Sequence, residues 1–209
     1  MMKKIRKIVL AIGAIALFGA APLSAQQLEG QISVSGAFAL YPLVVKWGAE
    51  FQKLNPKVKI NISAGGAGKG ITDAIGGMVE IGMVSREINP QELKKGAYPI
   101  AVAKDAVVPT VSTLNPDVNA ILSRGMTRDY AYNIFITGHL RTWNRAFGVS
   151  GPQKDLHVYT RSDACGAGEV WAKYFVKKQE DLLGVGVFGD PGIATAVQRD
   201  PLGIGYNNI

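Results

Sequence analysis

The segment ISAGGAGKGI, residues 62–71, places four glycines and a lysine directly after an alternating run that predicts a β-strand. A glycine-rich loop between a strand and a helix is typical of sites that bind anions through backbone N–H groups. The first question the sequence raises is therefore which anion such a loop would hold.

Two nucleotide-binding motifs fail at this loop. A Walker A motif needs Ser or Thr after its lysine and Gly five residues before the last glycine, but Gly70 follows Lys69 and Ser63 stands in the earlier position. A dinucleotide fingerprint starting at Gly66 needs glycine where Ile71 stands. A nucleotide hydrolase is therefore excluded, and either a simple anion site or a plain tight turn remains.

The sequence around the loop alternates strand and helix signals. Apolar residues with a period of two indicate strands, whereas a period near 3.6, after Pro42 for example, indicates helices. The predicted order is strand 31–34, helix 42–54, strand 57–63, helix 70–78 and strand 79–85. This order predicts an α/β fold with mostly parallel strands, whose ligands bind at the carboxyl ends of the strands.

The second half of the chain has the same pattern. An extended, apolar segment at 101–116 would cross from one lobe to another, and a strand at 156–160 leads into a second glycine loop, RSDACGAGE, at 161–169. Arg161 offers two parallel donors to an oxyanion. Asp163 is expected to hold Arg161 and to cap the helix that follows.

The first 25 residues are typical of a cleaved export signal. Four basic residues precede an apolar run from Ile8 to Ala21, which is too short to span a membrane, and Ala25 marks a plausible cleavage point. Removing them leaves 19 of the 23 basic residues against 16 acidic ones, so the net charge falls from +7 to +3. A nucleic-acid partner based on net charge is therefore not indicated.

Six motifs in order resemble the phosphate-binding proteins of bacterial ABC importers. They are SGAFALYPLVVKWGAEF, GGAGKGI, EIGMVSRE, the run from Ile134 to Trp143, RSDACGAGE and GIGYNNI. The resemblance implies an α/β, two-lobed periplasmic-binding-protein fold of type 2, each lobe a mixed, mostly parallel sheet flanked by helices. Lobe 1 would comprise 26–106 and 203–209, and lobe 2 would comprise 107–202.

The resemblance also implies a function and a set of ligand contacts. The protein would be a periplasmic monomer without a cofactor or metal that carries inorganic phosphate, or a related oxyanion, to an ABC permease in the inner membrane. The positions that match the family's ligand contacts, together with neighbouring residues, are Leu40, Tyr41, Gly66, Ala67, Ser85, Arg86, Arg161, Asp163, Cys165, Gly166 and Ala167.

This chain departs from the family pattern in its hydroxyl groups and its length. The family often has serine where Gly66 and Ala67 stand, and Ser-Gly-Thr where Cys165, Gly166 and Ala167 stand. Some members have a carboxylate at the position of Ser85, so weaker binding and weaker rejection of sulfate or molybdate are expected. The family continues beyond the GIGY strand, so a chain ending at Ile209 is expected to be truncated and to expose apolar surface on lobe 1.

Two other functions stay open. Cys165 beside Asp163, with His139 or His157, is compatible with a thiol-dependent enzyme. The chain is also compatible with a signalling or adhesion module that retains the fold without transport.

Overall fold

The computed structural model describes residues 27–209. The strands are β1 (Glu29–Gly36), β2 (Lys57–Ala64), β3 (Ile81–Met83), β4 (Val107–Val111), β5 (His157–Arg161), β6 (Val185–Val187) and β7 (Gly203–Asn208). The α-helices are α1 (Tyr41–Leu54), α2 (Ala67–Ile75), α3 (Pro90–Lys94), α4 (Val118–Arg124), α5 (Arg128–Phe135), α6 (Trp143–Phe147), α7 (Gly166–Tyr174) and α8 (Asp190–Arg199). A 3₁₀ turn spans Gln179–Asp181.

The first lobe contains a three-stranded parallel sheet in the order β2-β1-β3. Val34 at its centre is paired with Ile62 of β2 and with Ile81 of β3. The order of strands, loops and helices predicted from the alternating runs is confirmed in this lobe. The loops after β1 and β2 each follow the carboxyl end of a strand. Loops from adjacent parallel strands therefore meet at one edge of this sheet.

An apolar stripe on α1 is not covered by the other residues that the structure describes, 27–209. Gly48 faces Ile60 and Ile62 of β2, and the helix lies against the sheet on that side. Trp47 and Phe51 are 44% and 40% exposed, and Leu54 is 81% exposed. Together with Ile81 at 52%, they confirm the expectation that the first lobe exposes apolar surface.

The second lobe has a four-stranded mixed sheet in the order β4-β7-β5-β6. Strand β4 runs antiparallel to β7, whereas β5 is parallel to both β7 and β6. Helices cover this sheet around a well-packed aromatic core, in which Phe135, Trp143 and Tyr206 are fully buried. Trp171 packs edge-on against Phe135 with ring centroids 5.4 Å apart.

The expectation that residues 203–209 return to the first lobe is wrong. Strand β7 pairs with β4 through five residue pairs, Val107–Val111 against Ile204–Asn208, and lies between β4 and β5. Helix α8 packs on β7 and connects it to β6, so β6, α8 and β7 form a crossover unit that passes β5 within one sheet. Within the described part, the chain therefore passes from the first sheet to the second once, between α3 and β4.

The predicted export signal, residues 1–25, lies outside the described residues. Among residues 27–209, no helix is both long enough and apolar enough to span a membrane.

Candidate functional site

Loops from the two lobes meet where the sequence places its glycine-rich motifs. The amide of Gly68, in the first turn of α2, donates a hydrogen bond of 3.2 Å to the carbonyl oxygen of Ala164 in the other lobe. Ser85, just after β3, lies against Gly166 at the start of α7. The first glycine loop, Ser85 and the loop after Arg161 thus form one interface between lobes.

Two glycines are required for this close approach. Gly66 has a φ of 90°, and a Cβ added there would lie 2.8 Å from Oδ2 of Asp163. A Cβ on Gly166 would lie 2.2 Å from Oγ of Ser85, well inside any real contact distance. The sequence therefore keeps side chains out of the space between the lobes.

Arg161, at the end of β5, is the buried cation of the site. Its side chain is 1% exposed, and its Nε and Nη2 donate to the two carboxylate oxygens of Asp163 at 2.8 and 2.6 Å. Its Nη1 donates to Oδ1 of Asp190 at 2.7 Å. The ring of Phe38, from the loop before α1, lies 5.6 Å from the guanidinium carbon.

Burial and these contacts shift the pKa values of the cluster in different directions. Burial alone would lower the pKa of Arg161, but the hydrogen bonds that it donates to Asp163 raise it overall. Burial would likewise raise the pKa of Asp163, but Arg161 and the Gly189 amide hold it below its usual value. For Asp190 burial dominates, and its pKa is raised despite the contact with Arg161.

Asp163 performs one of its two expected roles. It holds Arg161 as expected, and its Oδ1 also accepts a 3.0 Å hydrogen bond from the Gly189 amide. It does not cap the following helix, because Cys165 occupies the N-cap position of α7. The thiol sulfur of Cys165 accepts a hydrogen bond from the Gly168 amide at 3.1 Å.

Several expected amide donors already have protein partners. The amides of Tyr41 and Gly66 donate to the carbonyl oxygens of Phe38 and Gly36 at 3.2 and 3.1 Å. The Cys165 amide donates to the side-chain oxygen of Gln179. The donors left to a ligand are the helix-start amides, which have no partner within their own helix. These are Ala67 in α2 and Gly166 and Ala167 in α7, with Leu40 as the N-cap residue of α1.

Arg86 binds acidic side chains rather than the Arg161 cluster. Its Nη1 and Nη2 donate to the carboxylate of Glu92 at 2.9 and 2.8 Å, within the first lobe. Its Nε forms an ion pair of 3.0 Å with Glu169 on α7, in the second lobe. An exposed pair between Glu87 and Lys173, at 2.5 Å, adds a second link. Arg86 therefore connects the lobes through its acidic partners.

A groove of about 710 Å³ lies beside this cluster. It is bounded by Phe38, Tyr41 and Asp190 on the site's side and by β4, α8 and Ile209 elsewhere. Neither Arg161 nor any other cationic side chain lines it. The cationic chemistry suited to an oxyanion is therefore at the Arg161 cluster and not in the lining of this groove.

The groups proposed for a thiol-dependent enzyme, the Cys165 thiol and a histidine, do not form a pair in the structure. Burial raises the pKa of Cys165 to about 12, and the residue is 2% exposed. His157 forms a 2.7 Å contact with Asp200 at its Nδ1, and His139 is exposed in the turn after α5. Among residues 27–209, no cluster of three His, Cys, Asp or Glu residues could hold a metal ion.

The sequence interpretation missed Asp190 and Phe38 as parts of this cluster. Asp190 is 29 residues from Arg161 in the chain, and its local signal, an acid before a proline at a helix start, is that of an ordinary helix terminus. Phe38 lies within the motif SGAFALYPLVVKWGAEF, but nothing in this motif indicates that its ring covers an arginine.

Comparison with known proteins gives consistent matches. A family model described as a PBP superfamily domain matches residues 21–209. The phosphate-binding protein PstS of Bacillus subtilis is 26% identical over 183 residues, covering 87% of this chain and 58% of its own length. PstS of Xylella fastidiosa strain Temecula1 is 28% identical over 208 residues, covering 88% of this chain and 55% of its own length.

A solved structure also matches. It is a candidate phosphate ABC transporter substrate-binding protein from Clostridium perfringens with bound phosphate. The TM-score is 0.76 at 25% identity, and the match covers 86% of this chain and 71% of the other. This chain spans little more than half the length of the two curated relatives it matches.

Proposed function

The chain belongs to the PBP superfamily, and we propose that it captures an inorganic oxyanion, phosphate first, between its two lobes for delivery to an ABC permease. In this proposal it works as a binding protein and not as an enzyme. The PstS relatives are named as phosphate-binding proteins, and the Clostridium perfringens structure contains phosphate.

One observation carries the proposal: a buried arginine lies where helix starts from opposite lobes meet. Helix α2 begins at Ala67 in one lobe and α7 at Gly166 in the other, and their loops are joined by the Gly68–Ala164 hydrogen bond. The positive ends of helix dipoles and the N–H groups at helix starts favour an anion at this point. A single small anion there would contact both lobes and favour their closure.

Arg161 retains donors for such an anion. A guanidinium has five N–H groups, and the contacts with Asp163 and Asp190 use three of them. One N–H remains on each Nη, and this pair matches two oxygens of a tetrahedral anion. The helix-start amides of Ala67, Gly166 and Ala167 and the hydroxyl of Ser85 would supply the remaining hydrogen bonds.

We further propose that the protein works outside the cytoplasm. The basic and apolar segment at residues 1–25 would direct export and then be removed. Delivery to a permease in the inner membrane would follow from that location.

Calorimetric titration of residues 26–209 with phosphate tests the proposal, using the variant Arg161→Lys for comparison. The lysine keeps the charge opposite Asp163 and Asp190 but loses the two parallel donors, so affinity should fall about tenfold or more. Arg161→Ala is less useful, because it leaves two carboxylates buried without a partner, which costs about 3–5 kcal/mol of stability. Equal affinity of the parent and Arg161→Lys, or no phosphate binding by the parent, would reject the proposed site.

A further inference from the structure

Asp190 accepts a hydrogen bond from Nη1 of Arg161, beside the donor pair that the oxyanion would use. It is the first residue of α8, and its Oδ1 lies 2.7 Å from Nη1 of Arg161. Its side chain is 17% exposed and opens onto the 710 Å³ groove, whereas that of Arg161 is 1% exposed. Asp190 is therefore both in contact with the buried cation and accessible to solvent from the groove.

The charges around Arg161 do not favour an anion when both carboxylates are ionised. One guanidinium faces the carboxylates of Asp163 and Asp190, so the cluster carries one net negative charge. A divalent anion entering this cluster meets repulsion from Asp190 and competes with it for the Nη1 donors. Asp163 is different, because it binds the Nε side of the guanidinium and orients it.

The other groups that face Asp190 add no positive charge. Asp105, in the segment before β4, adds a further negative charge, and Cys165 is a neutral thiol near Arg161. From α1, Tyr41 lines the same groove, and from β7 the side-chain amide of Asn207 donates to the backbone carbonyl of Asp190 at 2.9 Å. Arg161 is thus the cation that Asp190 contacts in the described part of the chain.

We propose that Asp190 is an internal competitor that limits oxyanion affinity, and that the oxyanion binds together with a proton taken up by the Asp190 carboxylate. This inference rests on the proposed function and assigns a role at the same site. The proton comes from solvent, and it turns Asp190 from a competing acceptor into a neutral carboxylic acid. That acid offers an O–H donor to the anion, and the cluster becomes electrically neutral.

The pH dependence follows from the direction of the shift. Burial raises the pKa of Asp190, so this carboxylate takes up a proton at a higher pH than an ordinary aspartate does. Above that pKa the ionised carboxylate competes with the ligand, and below it the competition is lost. Oxyanion affinity should therefore increase as pH falls, while Asp163, whose pKa is lowered, stays ionised and keeps Arg161 in place.

The experiment uses sulfate as a probe, because sulfate does not change its charge between about pH 8 and pH 5, whereas phosphate does. Calorimetric titrations across this range compare residues 26–209 with Asp190→Asn. The control Asp129→Asn removes the same charge from an exposed position in the first turn of α5. A phosphate titration of each protein near pH 7 accompanies them.

The parent and Asp129→Asn should bind sulfate more tightly as pH falls. Asp190→Asn should bind it about tenfold more tightly near pH 8, with an affinity that no longer depends on pH. An unchanged or weakened affinity in Asp190→Asn, or a flat profile for the parent, would overturn the competitor role. The parent profile decides the question even if the variant does not fold.

The phosphate arm separates this inference from the proposed function. Phosphate binding by the parent with no gain in Asp190→Asn would leave the function standing and reject the competitor. Phosphate binding by Asp190→Asn alone would support the competitor and reject phosphate capture by the natural chain. Phosphate binding by neither protein would reject phosphate capture, and the sulfate titrations would then decide the competitor role.

Discussion

Cys165 shows how one residue can look reactive in sequence and be inert in the fold. It lies next to a buried arginine at a helix N-terminus, a position that normally lowers the pKa of a thiol. Burial outweighs both effects and raises the pKa of Cys165 to about 12, from a usual value of 9.0. Its sulfur instead accepts a hydrogen bond from the Gly168 amide and so caps α7.

We therefore expect Cys165 in the folded protein to resist alkylation. Timed labelling with iodoacetamide near pH 8, read by mass spectrometry, should be slower than in the unfolded chain by roughly a hundredfold or more. The same protein in denaturant is its own control, because the chain has a single cysteine. Labelling of the folded protein at the unfolded rate would revive the thiol-enzyme hypothesis.

At the residue scale, the sequence predicted contacts between residues that are close to each other along the chain. The pairing of Arg161 with Asp163 follows from a separation of two residues at a strand end. The contact between Arg161 and Asp190 spans 29 residues and depends on how α8 returns to the sheet. The sequence also did not predict that the amides of Tyr41 and Gly66 donate to backbone carbonyl oxygens. A motif does not show which of its amides form hydrogen bonds within the folded protein.

At the scale of elements, the start of α7 is fitted closely against the end of β3. Gly166 has no side chain where Ser85 of the other lobe approaches, and both Oγ and the carbonyl oxygen of Ser85 would lie within 2.3 Å of an added Cβ. Neighbouring links between the same elements, such as Glu169 with Arg86, depend on this approach.

Gly166→Ala should prevent the lobes from closing without unfolding either of them. The new methyl group meets Ser85 across the interface, and alanine is well suited to a helix start in the second lobe. Phosphate affinity should fall about tenfold or more, and small-angle scattering should give a larger radius of gyration, with unchanged circular dichroism.

The matched control is Gly186→Ala, because a Cβ added at Gly186 would approach only Ser162 of its own lobe, at 3.3 Å. It should keep both the affinity and the radius of gyration of the parent. If Gly166→Ala binds phosphate as tightly as this control, closure at Ser85 and Gly166 is not part of binding.

The strands and helices of the first lobe were predictable because each shows a local period of apolar residues and is bounded by residues that end it. The alternation of Val58, Ile60 and Ile62 predicts β2, and Pro42 lies in the first turn of α1. The place of β7 was not predictable in this way. The segment GIGYNN predicts a strand, but it does not indicate which strands pair with it. Its neighbours, β4 and β5, depend on the crossover through α8.

At the scale of the molecule, the two lobes meet through loop contacts such as Gly68–Ala164 and Phe38–Phe188, while each has its own core. The second lobe buries a large aromatic cluster, whereas the first lobe has a small core around Val34 and Met83 and leaves Trp47 and Phe51 partly exposed. Such an arrangement allows the lobes to move as rigid bodies about the connection between α3 and β4. A ligand that contacts both lobes can then shift the equilibrium between open and closed forms.

The proposed function depends on where the oxyanion binds, and a crystal structure of residues 26–209 with phosphate measures this directly. Phosphate oxygens should lie within about 3 Å of the Arg161 guanidinium and of the amides of Ala67 and Gly166, which come from opposite lobes. Phosphate bound in the 710 Å³ groove away from Arg161, or by one lobe alone, would contradict the proposed site between the lobes.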